Sequence, residues 1–214
     1  LSMPIEGVTF EELKEINRQL VRCGAPIQEI NTIRKHLSGV LGGRLAAACQ
    51  APIHCLIISD VTGDNPTHVS SGPCSPDPTT YADALALIKH YSIDISANVR
   101  TILQQRSQQP ADETPKPGDT VFRNVKSRVI ATAHQSLVAV ESFFREHKVT
   151  PMVLGDTVTG EAREVAKVYA ALAREIRHYG TPFRPPVALI SGGETTVTVK
   201  GQGRGGRNTE FLLS

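Results

Sequence analysis

No apolar run in the 214-residue sequence approaches the roughly 18 residues that cross a bilayer, and the N-terminus lacks the basic-then-apolar order of a secretory signal. A membrane is therefore not an expected partner, and the chain reads as soluble and cytoplasmic. Cysteine is sparse. Cys23, Cys49, Cys55 and Cys74 form no C-x-x-C pair and have no companion histidine at metal-ligand spacing, which argues against zinc or a disulfide framework and fits reduced thiols. An excess of one charge is missing too: 23 Lys+Arg face 21 Asp+Glu, a net +2, with the basic residues spread along the chain. Nucleic acid is accordingly not the expected partner. There is no G-x-x-x-x-G-K-[ST] phosphate loop and no repeat of fixed period, and none of the seven histidines is spaced for a nucleophilic triad or a metal.

What is present is enough apolar material, 40% of residues, to build a core. Thr9 with Glu12 has the spacing of a capping box, and Leu13, Ile16, Leu20 and Val21 recur at helical intervals until Gly24. Ile27, Ile30, Ile33 and Leu37 give a second helix. Gly42-Gly43 breaks the pattern, and Arg44 to Cys49 resumes it. From there short apolar runs alternate with amphipathic helices, the order expected of a parallel α/β sheet. Strands are predicted at 53–59, 127–131, 151–154 and 187–190, and helices at 80–91, 96–105, after 131 and at 160–179. Thr181 to Pro186, with three prolines, reads as a linker. Thr195 to Lys200 alternates strictly, which suits a half-exposed strand in an antiparallel or mixed sheet. Both ends read as cut: the sequence opens on Leu1-Ser2-Met3-Pro4 and stops at Phe211-Leu212-Leu213-Ser214 within an apolar helical pattern.

Four segments could carry chemistry. Gly201-Gln202-Gly203-Arg204-Gly205-Gly206-Arg207-Asn208 joins a strand to a helix. Its glycines let backbone N–H groups approach a ligand, and Arg204 and Arg207 supply planar donors for phosphate or carboxylate oxygens; a flexible loop with solvated arginines is the plainer alternative. Gly201, Gly203 and Gly206 also satisfy G-x-G-x-x-G, although the preceding strand alternates and the sequence ends before the acidic residue expected about 20 positions later could appear. Ser191-Gly192-Gly193-Glu194-Thr195-Thr196 follows a buried strand and offers donors to phosphate, while Glu194 could hold magnesium or orient a substrate hydroxyl. A tight turn with an exposed acid explains it equally well. Ser59-Asp60-Val61-Thr62-Gly63-Asp64, with Ser70-Ser71-Gly72-Pro73 close behind, presents two acids suited to magnesium or a substrate hydroxyl, or to capping work. Gly155-Asp156 shares that strand-end position, and the two loops are expected to line one crevice. Asn31, Arg34, Lys35, His36 and Ser38 form a donor-rich face for which solvation is the commoner explanation.

These segments stand in order with Glu29-Ile-Asn-Thr-Ile-Arg-Lys-His-Leu-Ser38, Gly42-Gly-Arg-Leu-Ala46, Pro76-Asp-Pro-Thr-Thr80 and Gly160-Glu-Ala-Arg-Glu164. In that order they resemble the glycerate 2-kinase family with a C-terminal MOFRL domain. Ala131-Thr-Ala-His-Gln-Ser-Leu137 is similar to the tartrate-utilisation branch, whose members are often labelled hydroxypyruvate reductase, and Thr209 stands where many relatives have Gln. The resemblance implies a Rossmann-like three-layer α/β/α domain over 1–182, then the start of a smaller α/β MOFRL domain over 183–214. It also implies an active site between the two and a lysine, supplied from upstream, acting with Arg207. The implied activity is ATP-dependent phosphorylation of D-glycerate, with ATP and Mg2+ as cofactors. NAD(P)H-dependent reduction of hydroxypyruvate is the rival reading, and capture of an anionic metabolite without turnover the third. In the kinase reading Arg207, Asp60 and Glu194 are catalytic; Ser191, Gly192, Gly193, Gly203, Arg204, Gly205, Gly206, Asn208 and Asp156 bind the nucleotide; and Asp64 and Glu194 hold the metal. Glycerate and a nucleotide are the expected partners, a homodimer is left open, and the segment by itself is expected to be inactive.

Overall fold

Three helix starts are written into the sequence as reciprocal side-chain caps, and all three form. In the computed structural model, which describes residues 3–61, 63–198 and 203–214, Thr9 caps α1 (Phe10–Arg22), Thr80 caps α4 (Tyr81–His90) and Thr132 caps α6 (Ala133–Glu146). Each threonine Oγ1 accepts from the backbone N–H three residues on, and the side chain at that position returns the bond, which satisfies donors every helix start leaves over.

The chain divides into two units, Leu1–Ile130 and Ala131–Ser214. The first is mainly helical. α1, α2 (Ile27–His36), α4 and α5 (Ala97–Ser107) pack their apolar stripes on one another, burying Leu13, Ile16, Leu20, Ile33, Ile88 and Leu103. Val21 and Ile27, expected in those stripes, are exposed at the margins. Helix α3 (Arg44–Ala48) follows the Gly42-Gly43 break, and β1 (Ile53–Ser59) pairs with β2 (Val125–Thr132).

In the second unit β3 (Thr150–Val153) pairs in parallel with β5 (Val187–Ile190), and β4 (Val158–Glu161) pairs in parallel with β6 (Gly193–Thr196). Helix α7 (Ala162–Tyr179) connects the first strand of each pair to the second, and α8 (Arg207–Leu213) packs on α7. Two readings are corrected here. Gly160 and Glu161 end a strand rather than begin the helix, because the left-handed glycine (φ 116°) is not helical backbone. The alternating segment, expected as a strand from Thr195 in an antiparallel or mixed sheet, instead forms β6 over Gly193–Thr196 and pairs in parallel with β4; alternation reports a half-exposed face, and β6 is exposed at three of its four positions. Val199, Lys200, Gly201 and Gln202, the end of that predicted strand and the start of the glycine-rich loop, lie outside the described residues, as does Thr62. The result is an α/β fold with parallel strands.

Candidate functional site

In the second unit the fold draws several of the singled-out segments together. The loop after β3 meets the turn after β5: the Gly192 N–H donates to the Gly155 carbonyl at 2.9 Å, and the Val158 N–H donates to the Gly192 carbonyl at 3.2 Å. Asp156 therefore lies directly against Gly192, where an added Cβ would come within 3.5 Å of the Asp156 Cα. Gly193 is dictated more strictly. Its φ is 136°, and a side chain there would overlap the backbone of Val158. These contacts let β5 turn straight into β6 while holding Ser191 and Glu194 exposed.

Arg207, the first residue of α8, donates from its guanidinium to the Glu194 carboxylate. The glycine-rich loop and the Ser191–Thr196 turn are thereby joined through a cation and an anion that both remain largely exposed, so the pair contributes little to stability and is free to exchange partners. Arg204, Gly203, Gly205, Gly206 and Asn208 are exposed beside it. Two cavities open among these elements. One, of about 390 Å³, is lined by Ser191, Gly192, Gly193, Thr195 and Asn208, with apolar walls from Val165 and Phe211. The other, of about 330 Å³, is lined by Gly203 to Gly206, Arg163 and Glu210.

Two residues that carry this region were not singled out as site residues from the sequence. Arg163 reaches Glu210 at 2.6 Å and ties the start of α7 to α8. Glu161 accepts from the N–H and hydroxyl of Thr198 at 3.1 and 3.0 Å and holds the chain that leaves β6. Both belong to the Gly160–Glu164 block, and their partners Glu210 and Thr198 lie far along the chain.

Asp60 and Asp64 lie in the first unit, in the loop after β1. Asp60 is exposed; Asp64 adopts a left-handed conformation (φ 52°), with its N–H bonded to the Val61 carbonyl at 3.0 Å. Among the described residues no group of three or more His, Cys, Asp or Glu is arranged to hold a metal ion. No helix among them is long and apolar enough to cross a membrane.

The donor-rich face of α2 is the clearest departure from expectation. Asn31, Lys35, His36 and Ser38 are buried, not solvated. Lys35 Nζ donates to Asp77 Oδ1 at 2.7 Å with both side chains excluded from solvent, and Thr79 and Thr114 hydroxyls donate to the same carboxylate at 2.7 and 3.1 Å. Burial alone would raise the Asp77 carboxyl, but the bonds from Lys35 and Thr79 outweigh it and hold the group below its ordinary range. His36 donates from Nδ1 to the Thr32 carbonyl at 2.8 Å, which leaves Nε2 bare toward Glu113 at 3.5 Å and Asp77 at 3.9 Å. Burial pushes its pKa down despite those carboxylates, so the ring is neutral. Beside this cluster a cavity of about 690 Å³ is lined by Arg44, Arg106, Glu113, Thr114 and Lys116. The i, i+4 pattern placed Ile30, Ile33 and Leu37 inside; it gave no warning that Lys35 and His36 go in with them, because their partner Asp77 is 42 residues away.

The chain is similar to several known proteins. A family model described as "Domain of unknown function (DUF4147)" matches residues 1–104, and the "MOFRL family" model matches 187–214. An Agrobacterium vitis protein named "Putative hydroxypyruvate reductase" is 43% identical over 217 residues, covering 100% of this chain and 48% of that protein. The Thermotoga maritima D-glycerate 2-kinase is 38% identical over 213 residues, covering 99% of this chain and 48% of the relative. The crystal structure of the T. maritima glycerate kinase superposes with a TM-score of 0.77 at 37% identity, covering 100% of this chain and 49% of that one. The chain spans about half the length of the curated relatives it matches.

Proposed function

We propose, from the chain's likeness to glycerate 2-kinases and its match to the MOFRL model, that the whole protein transfers the γ-phosphoryl group of ATP to the 2-hydroxyl of D-glycerate. The observation that carries this reading is the Arg207–Glu194 contact between the glycine-rich loop and the turn after β5. Phosphoryl transfer asks mainly for positioned charge. An exposed guanidinium neutralised only by an exposed carboxylate can release its partner when a phosphate arrives, and the freed carboxylate can then take the proton of the substrate hydroxyl or help hold magnesium. Ser191, Gly192 and Gly193, with Gly203, Arg204, Gly205, Gly206 and Asn208, form the nucleotide side, and Asp156 supports them from the loop after β3. Asp60 and Asp64 are assigned to the substrate hydroxyl and to magnesium. The start of the MOFRL match at residue 187 supports placing the smaller domain from 183 onward, after a larger Rossmann-like domain over 1–182. Glycerate and ATP are the partners, and cytoplasm is the compartment.

A second reading, NAD(P)H-dependent reduction of hydroxypyruvate, is favoured by the name of the A. vitis relative. The two chemistries place opposite demands on a divalent cation: phosphoryl transfer would draw on magnesium to offset the phosphate charge, whereas hydride transfer has no such need. Full-length protein should form ADP from ATP, magnesium and glycerate, and excess EDTA should abolish the reaction. Oxidation of NADH by hydroxypyruvate at an unchanged rate in EDTA, with no ADP formed from glycerate, would establish the reductase instead.

A further inference from the structure

The cavity of about 690 Å³ in the first unit has charged walls whose pairing is uneven. Lys116 is satisfied: its Nζ donates to the Thr79 carbonyl, to Thr114 Oγ1 at 2.9 Å and to Glu113 Oε2 at 3.2 Å. The acids are occupied or solvated. Glu113 also accepts from the Tyr81 N–H at 2.9 Å, Asp119 accepts from the Lys116 N–H at 2.6 Å, and Asp119 and Glu6 are exposed. The two arginines are in a different position. Arg44, the first residue of α3, donates from Nη2 to the Tyr81 hydroxyl at 2.8 Å and to the Asp112 carbonyl at 3.3 Å, and its guanidinium lies 6.0 Å from the Tyr81 ring centre. Those acceptors fix the group but carry no charge, and its Nε is buried with no partner among the described residues. Arg106, in the last turn of α5, makes no hydrogen bond or ion pair from its guanidinium among the described residues. It is half-buried against the cavity, whereas Arg100 of the same helix is exposed.

We propose that this cavity binds a small organic dianion, a short carbon chain carrying two anionic groups, with Arg44 and Arg106 each taking one of them. A half-buried cation loses part of its hydration, and an anion that meets it offsets the loss. Neither guanidinium makes an ion pair with an Asp or Glu among the described residues, so that role is left to a ligand. The planar fork of N–H donors suits carboxylate and phosphate oxygens alike. Tyr81 is fully buried and holds Arg44 in place before a ligand arrives, which lowers the ordering cost of binding. The volume falls within the roughly 300–1,000 Å³ of small-molecule sites, and Met3, Ala47, Pro110 and Val121 add apolar wall for the carbon chain. A dicarboxylate and a phosphorylated acid both present the required pair of charges. The assignment stands apart from the kinase reading, because its test reads occupancy and not turnover.

The test labels the arginines of full-length wild type with phenylglyoxal and maps the adducts by mass spectrometry. Labelling is compared without ligand and with succinate, phosphonoacetate or acetate at about 10 mM, well above a millimolar Kd. One or both dianions should lower labelling of Arg106 and Arg44 several-fold, with exposed Arg100 unchanged as the internal control. Protection by succinate identifies a dicarboxylate site and protection by phosphonoacetate a phosphorylated-acid site, while acetate, with a single charge, should protect far less. In calorimetric titration the protecting probe should bind Arg106→Gln at least about tenfold more weakly than wild type, and Arg106→Lys, which keeps the charge, should recover part of the loss. Arg106 left unprotected by both dianions, protection of Arg100 to the same degree, or equal protection by acetate overturns the assignment. Wild type decides these outcomes by itself, whatever the variants do to folding.

Discussion

The His36 ring is fully buried, neutral and committed to the Thr32 carbonyl, and Asp77 beside it is ionised and held by Lys35 and Thr79. Both groups have folded pKa values below their ordinary ones. In the unfolded chain His36 takes up a proton near pH 6.5 and Asp77 near 3.9; the folded protein resists both. The unfolded state thus binds more protons in each window, and stability falls with acid, first below about pH 6.5 and again below about pH 4. His36→Asn keeps an N–H for Thr32 and should flatten the first step, which urea midpoints of the full-length protein between pH 7 and 5 would measure; identical profiles for variant and wild type would refute the assignment. Asp77→Asn leaves Lys35 uncompensated and should cost about 3–5 kcal/mol. Arg207 is the opposite kind of residue. It is exposed and pairs with Glu194, so Arg207→Ala should lower turnover at least tenfold, about 1.4 kcal/mol of transition-state stabilisation, and leave the melting temperature nearly unchanged. Arg207 was singled out in the sequence because two glycines precede it. Asp77 was not singled out for a role, because its meaning depends on Lys35 and Thr114, far away along the chain.

Helices were more legible than strands, and the reason is in the residues. Thr9 with Glu12, Thr80 with Asp83 and Thr132 with Gln135 are local codes, complete within four positions. β1 and β5 announce themselves as apolar runs. β4, Val-Thr-Gly-Glu, has one apolar side chain and exists because β6 pairs with it from Val158↔Gly193 to Glu161↔Thr196. That pairing rests on Gly193. Gly193→Ala puts a methyl group into the Val158 backbone and forces a left-handed φ on alanine, so it should destabilise the second unit by at least about 2–3 kcal/mol and unpair β4. Hydrogen exchange at the amides of 158–161, compared with those of α7 as an internal control, would show the loss; unchanged protection would contradict the register described here.

At the scale of the molecule, the sequence order of motifs was enough to read an α/β chain that resembles the glycerate 2-kinases, and relatives of that name match it at 38% identity over nearly its whole length. It could not reveal that a polar face of α2 is interior, since burial of charge is decided by partners and not by periodicity. One further property of the second unit concerns time. β3 and β4 are complete at residue 161, yet each waits for a partner, β5 or β6, that is finished only at residue 196. A ribosome adding about 5–20 residues per second leaves these two strand edges unpaired for roughly 2–7 s, with only α7 emerging to cover them. Nascent chains arrested after α7 should therefore be cut by protease within 150–161, and chains long enough to free Thr196 from the exit tunnel should resist. The half-made unit is the interval in which this protein is most open to a chaperone, and to pairing with the wrong neighbour.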